Sequence, residues 1–175
     1  MPLDAAALYR GHARFVAGFL SRLGSAQEDV ADLTQEVFLV AHRRGGWRPG
    51  PARPTTWLAE IAVRVASQSR RTVRRRHEVA DDGLDRQTSS TATPAEAAET
   101  TEAMERVSRA LGTLDVAHRA VFVLFEIEGE SCDGIAAGLG IPVGTVYSRL
   151  HAARRKFTAA HERLVAVPAA LREVG

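Results

Sequence analysis

Between residues 81 and 101 the sequence DDGLDRQTSSTATPAEAAETT contains one large apolar residue, Leu84. A stretch this acidic, rich in Ser, Thr and Ala and interrupted by Pro94, cannot bury enough surface to offset the entropy of ordering it. It divides the 175 residues into two blocks, each with room for only a modest core. The expected organisation is a helical block over residues 1–78, a flexible acidic linker over 79–102, a second helical block over 103–165 and a short tail over 166–175.

Both blocks show the three- and four-residue periodicity of amphipathic helices. In the first, Leu8, His12, Phe15, Phe19 and Leu23 form one stripe. Val30, Leu33, Val37 and Ala41 form a second, and Leu58, Ile61, Ala62, Val65 and Ser69 a third. Gly24-Ser25 breaks the chain between the first two, and Gly45-Gly46 with Pro49, Pro51 and Pro54 between the next two. A bundle of three or four helices follows. In the second block the run AVFVLFEI at 120–127 reads by periodicity alone as a buried strand or a buried helix; the helical pattern around it favours helix. A short helix from Ser131 to Leu139, a break at Gly140-Ile141-Pro142 and a long amphipathic helix from Val143 to Val165 make a helix-turn-helix pattern. The expected fold is all-α, with two small helical domains.

The charge is segmented. Residues 1–78 carry 13 basic and 7 acidic side chains, the linker 1 and 6, and the remainder 9 and 8. Lys156 is the one lysine among 23 cations; arginine suits bidentate phosphate contact, and a GC-rich genome produces the same bias. One cysteine excludes a disulfide framework and a multi-cysteine zinc site. No apolar run reaches the length of a membrane span, and the first residues lack a signal-peptide layout, so membrane insertion is not expected and the cytoplasm is the default location. The six histidines show no paired metal spacing, and no nucleophile elbow or phosphate-binding loop is present. No enzymatic activity, metal or cofactor is expected.

Three surfaces fall outside the core stripes. Opposite the stripe of the second helix lie Asp32, Gln35, Glu36 and Leu39, which suits an interface with a basic partner having an apolar contact, or a solvated acidic face. The third helix turns Arg64, Ser67, Arg71 and Arg75 outward with Trp57 at the flank. Cations beside an aromatic ring can hold a phosphate backbone and stack an unpaired base; a basic helix end also complements the helix dipole. On the last helix Thr145, Ser148, His151, Ala152 and Arg155 face out, flanked by Tyr147, Arg154, Arg149 and Lys156. That is the face a helix-turn-helix presents to the major groove.

Two motifs gather these surfaces. Asp-Leu-x-Gln-Glu-x-Phe at 32–38, within DLTQEVFLVAH, precedes PTTWLAEIAVRVA at 54–66, and Gly-Ile-Pro-x-Gly-Thr-Val-x-Ser-Arg-Leu occupies 140–150. In this order and spacing the sequence resembles the extracytoplasmic-function (ECF) group of bacterial RNA polymerase sigma factors. The resemblance implies a transcription initiation factor that binds core polymerase, directs it to promoters through their −35 and −10 elements and assists melting. It implies that Asp32, Leu33, Gln35, Glu36, Phe38 and Leu39 meet the clamp helices of the largest polymerase subunit. Trp47, Arg48, Trp57, Arg64 and Arg71 would serve the −10 element, the loop over 43–55 capturing a flipped base. Thr145, Ser148, Arg149, His151 and Arg155 would enter the −35 groove, and an anti-sigma factor is an implied partner.

Departures from the family pattern concern DNA. Tyr147 and Ala152 stand where cations are usual, which should weaken groove contact and shift the preferred −35 sequence. Gly134 and Gly138 each cost a helix about 0.5–1 kcal/mol relative to Ala. Two other functions fit parts of the sequence: a stand-alone helix-turn-helix regulator, and a degenerate sigma-like protein that occupies polymerase without initiating. A helical-bundle metalloenzyme is a third.

Overall fold

The computed structural model describes residues 1–79 and 96–172, with side chains described over 1–75 and 102–166. Its helices are α1 (Ala5–Arg22), α2 (Val30–Arg43), α3 (Pro54–Val79), α4 (Glu96–Gly112), α5 (Val116–Phe122), α6 (Cys132–Leu139) and α7 (Val143–Arg172). No strand occurs among the described residues. The one extended pairing is an isolated antiparallel bridge between Leu3 and Trp47 that ties the N-terminus to the loop after α2.

Local chemistry sets the helix ends. Asp4 Oδ1 accepts from the Ala7 N–H at 2.7 Å and opens α1. Asp115 does the same for α5 through the His118 N–H, and Ser131 for α6 through the Gly134 N–H, satisfying amide groups that a helix start leaves without partners. Pro54 begins α3, where its missing N–H costs nothing. The turn between α6 and α7 passes through Gly140 at φ 65°, a left-handed conformation that residues with a Cβ resist.

Helices α1–α3 pack mutually around Leu8, Val16, Phe19, Leu20, Leu23, Val37, Leu58 and Ile61, all fully buried. In the second domain α4, α5 and α6 each pack on α7. The run at 120–127 is helical: it completes α5 and continues as a π-helical turn from Val123 to Ile127, burying Val121 through Leu124. The two domains also touch, α3 lying against α5 and α6.

The stripes differ in phase from the sequence reading. On α1 the core side is Leu8, Val16, Phe19, Leu20 and Leu23, with His12 and Phe15 half-buried. On α2 it is Val30, Thr34, Val37, Phe38 and Ala41. Thr34 enters the core because its hydroxyl donates to the Val30 carbonyl at 2.7 Å, which removes the cost of burying it. At the chain's other expected boundaries, α4 begins at Glu96, inside the segment assigned to the linker, and α7 continues to Arg172, through most of the assigned tail. The core of the linker, residues 80–95, lies outside the described residues.

Candidate functional site

The outward face of α2 carries Asp32, Gln35 and Leu39, all exposed, with Glu36 half-exposed beside them. Leu39 is 53% exposed, an apolar side chain set among carboxylates. Glu36 is already engaged, accepting from Arg43 one turn of helix beyond Leu39 at 2.8 Å. Two residues assigned to this face lie elsewhere. Leu33 is half-buried and turned toward α3, and Phe38 is 6% exposed, packed edge-on against Tyr9 with ring centroids 5.0 Å apart. Phe38 packs inward and presents little surface.

Between α2 and α3 runs an open groove of about 510 Å³, lined by Leu33, Glu36 and Val40 on one wall and Arg64, Gln68 and Thr72 on the other. The groove places the acidic face of α2 and the basic face of α3 side by side. Arg64 is exposed yet paired with Glu60, a largely buried carboxylate that also accepts from Arg44 at 2.6 Å. Arg71 and Arg48 are exposed. Trp57 is half-buried against the core, and Trp47 more anchored still, its indole N–H donating to the Ala52 carbonyl at 3.2 Å. Trp47 therefore shapes the loop, leaving Arg48 at its surface.

On α7, Val146, Leu150, Ala153 and Ala160 face the core. Ser148, His151 and Arg155 face away, while Thr145 and Arg149 sit at the flank, half-buried. Tyr147, 58% exposed, belongs to the outward face. Arg154 is drawn off it, bonded to Glu126 at 2.5 Å and stacked over the Phe125 ring 5.1 Å away.

Residues 8–76 match the model for Sigma-70 region 2, and residues 104–157 match that for Sigma-70 region 4. ECF RNA polymerase sigma factor SigL of Mycobacterium tuberculosis is 34% identical over 154 residues, covering 85% of this chain and 84% of SigL. The chain belongs to the ECF family of RNA polymerase sigma factors. RNA polymerase sigma factor CarQ of Myxococcus xanthus is 36% identical over 82% of this chain and 81% of its own. SigE of Mycolicibacterium smegmatis is 34% identical over 85% of this chain, which spans 58% of SigE. Among solved structures, the sigma factor RpoE of Bartonella quintana, in complex with the anti-sigma factor NepR, shares the fold with a TM-score of 0.66 at 22% identity, over 88% of this chain and 94% of that one. CnrH, in complex with the cytosolic domain of CnrY, gives 0.64 at 26% identity, over 91% and 88%.

In this sigma factor, region 2 contains the α2 face, the groove and the basic length of α3; region 4 contains the helix-turn-helix. Residues that sequence reasoning passed over lie between the regions. Arg119 is buried, its guanidinium donating to the Leu23 carbonyl at 2.7 Å and the Leu114 carbonyl at 2.9 Å. Burial and the neighbouring Arg70 push its pKa down to about 10, partly opposed by Asp115. Arg70, itself lowered by burial, donates to the same Leu23 carbonyl. Glu130 is also buried, accepting from the Thr55 hydroxyl at 3.0 Å. A charged residue followed by an N-cap serine gave no signal for such a contact. Among the described residues no cluster of His, Cys, Asp or Glu could hold a metal ion, and no helix is long and apolar enough to cross a membrane.

Proposed function

We propose that this sigma factor docks on core RNA polymerase through the exposed part of α2, centred on Asp32, Glu36 and Leu39. Its region 4 helix α7 then reads the −35 element, and α3 with the preceding loop holds the opened −10 element. The observation that carries the reading is an exposed leucine among carboxylates on α2, beside a basic α3 and ahead of a helix-turn-helix. A basic partner with an apolar patch fits the first, and nucleic acid the other two. The clamp helices of the largest polymerase subunit are the expected contact for α2.

By the same reading the chemistry belongs to polymerase, and the protein acts in the cytoplasm without a cofactor. An anti-sigma factor would compete for the α2 face and the α2–α3 groove; RpoE of the same fold was solved with an anti-sigma factor bound. The outward face of α7 favours action with polymerase over stand-alone duplex binding. Arg155 is the cation at its centre, Arg149 and Lys156 sit at the flank and Arg154 is held by Glu126, a small set for unaided DNA affinity.

The test is equilibrium binding to core polymerase followed by run-off transcription. Asp32→Lys with Glu36→Lys should weaken core binding by an order of magnitude or more while the helical circular dichroism is unchanged. Equal binding by the double variant and wild type refutes the assignment of this face.

A further inference from the structure

The loop that joins α2 to α3 is irregular, yet its base is fixed on three sides. The chain leaves α2 through Gly45 and Gly46, both left-handed at φ 77° and 80°, with the Gly46 N–H donating to the Ala41 carbonyl at 3.0 Å. Trp47 then pairs with Leu3: the N–H of each donates to the carbonyl of the other at 2.9 Å. The Trp47 indole N–H closes the far side of the loop on the Ala52 carbonyl at 3.2 Å. Arg44 ties the near side to Glu60 of α3 at 2.6 Å. Between these anchors residues 48–51 are exposed. Leu3 is itself held, its side chain packing half-buried on the core. Asp4, next in sequence, caps α1 with its side chain and accepts from the Leu8 N–H through its carbonyl at 2.9 Å. Leu8 is fully buried, so the place of Leu3 is set by the first turn of α1 and through it by the bundle.

The two glycines are not equivalent. A Cβ on Gly45 would meet nothing within 4 Å, whereas one on Gly46 would lie 2.3 Å from the Leu3 carbonyl oxygen and 3.1 Å from the Asp4 Cα. Both positions need the left-handed conformation that glycine adopts freely. Gly46 is also needed as bare backbone, because the segment before α1 lies across it. Holding an irregular loop in one shape costs entropy, and two backbone bonds with a half-buried leucine act against that cost where the loop begins.

We propose that Leu3 is a positioning residue for this loop: the segment before α1 is a strap across Gly46 that fixes where Trp47 turns the chain, and so where Arg48 and the exposed tip meet an unpaired base. The strap stands on the geometry alone. Its bearing on DNA rests on the −10 role proposed above for the loop. Close contacts to an extruded base must offset its unstacking, whereas attraction to phosphates depends little on exact shape. A loop released from the strap therefore loses selectivity between bases before it loses affinity for DNA.

Gly46→Ala tests it, with Gly45→Ala as the measure of left-handed strain alone. In the full chain without DNA, the Trp47 amide should exchange its hydrogen about tenfold faster or more in G46A than in G45A. Leu3→Pro deletes the Leu3 N–H, leaves the loop's own sequence intact and should speed exchange likewise. Leu3→Met keeps both backbone bonds and an apolar side chain, and should exchange as wild type does. Holoenzyme reconstituted with each protein then selects from single-stranded DNA of randomised sequence. The wild-type preference for one base at the captured position should fall about tenfold in G46A and Leu3→Pro and persist in Leu3→Met, with core-polymerase binding unchanged throughout. A merely structural role would lower Tm and leave that preference intact. Equal Trp47 exchange in G45A and G46A overturns the strap, and equal base preference in wild type and G46A overturns the positioning role. A wild-type holoenzyme that selects no sequence refutes the −10 role of the loop itself, while the exchange rates still decide whether Leu3 holds it.

Discussion

Truncating Leu39 to alanine separates a surface role from a structural one. The side chain is 53% exposed in the free protein, so folding has used about half of its burial. Complete burial of a leucine is worth about 1.5–3 kcal/mol. Docking that covers the rest gains about 1 kcal/mol, which corresponds to about a fivefold change in Kd. The loss of stability on truncation should be of the same size, about 2–4 °C in Tm for a chain of this length.

Phe38 is the control. At 6% exposure its truncation to alanine belongs with core deletions, at about 3–5 kcal/mol, and should lower Tm several times further. Fluorescence anisotropy with core polymerase and a thermal melt on each variant decide the matter. Leu39→Ala should weaken binding while the melt shifts little; Phe38→Ala should shift the melt strongly. If Leu39→Ala binds core as tightly as wild type, the α2 face is a solvated surface and the docking geometry is wrong. If it melts as early as Phe38→Ala, Leu39 is part of the core.

Replacing Arg149 and Arg155 by alanine should abolish the advantage a promoter gains from its −35 element in run-off assays, because each bidentate pairing with a base edge supplies about 1–3 kcal/mol of discrimination. Core binding should stay intact, and its loss would contradict the division of labour between regions. Asp115→Ala removes the α5 cap and should cost about 1 kcal/mol, or about 2–4 °C. Burial raises the Asp115 pKa, but hydrogen bonds and charge from His118, with Lys156, outweigh it and hold it below the usual carboxylate range. A carboxylate lowered on folding stabilises the native state above its unfolded pKa of about 3.9 and loses that contribution as pH falls through its folded value. The Tm difference between wild type and Asp115→Ala should therefore be constant near neutrality and shrink below about pH 4; a constant difference down to the acid limit would refute the cap's role.

What the sequence made legible was what repeats locally. Helix periodicity, the glycine and proline breaks and the turn at Gly140 identified both bundles and the helix-turn-helix. The phase of the stripes was less legible, because a polar residue can enter a core once its hydroxyl bonds within its own helix, as Thr34 does to Val30. Phe38, assigned to a surface by its place in a motif, is 6% exposed and packs against Tyr9. The contacts between regions left no local trace. Arg119 and Leu23 lie 96 residues apart, Thr55 and Glu130 75, and neither pair has a spacing that a periodicity can register. Gly138 shows the cost of reading one helix at a time: scored by propensity it is a defect, and placed against Thr56 it is the condition for contact.

One charge on each proposed interface, Glu36 on α2 and Arg64 on α3, is paired before any partner arrives. Glu36 holds Arg43 at 2.8 Å, and Arg64 is paired with Glu60, which also holds Arg44. A basic element of polymerase that meets Glu36 must displace Arg43, and a phosphate that meets Arg64 must compete with a largely buried carboxylate. Each exchange trades one ion pair for another, and exposed pairs are worth about 0–1 kcal/mol to begin with. Charge on these faces is therefore suited to steering the encounter and fixing its orientation, while affinity has to come from surface that loses water on docking. On α2 that surface is Leu39 and the half-buried Leu33 and Val40 of the adjoining groove. This is why truncating one exposed leucine is a sharper probe of polymerase docking than removing a single carboxylate beside it.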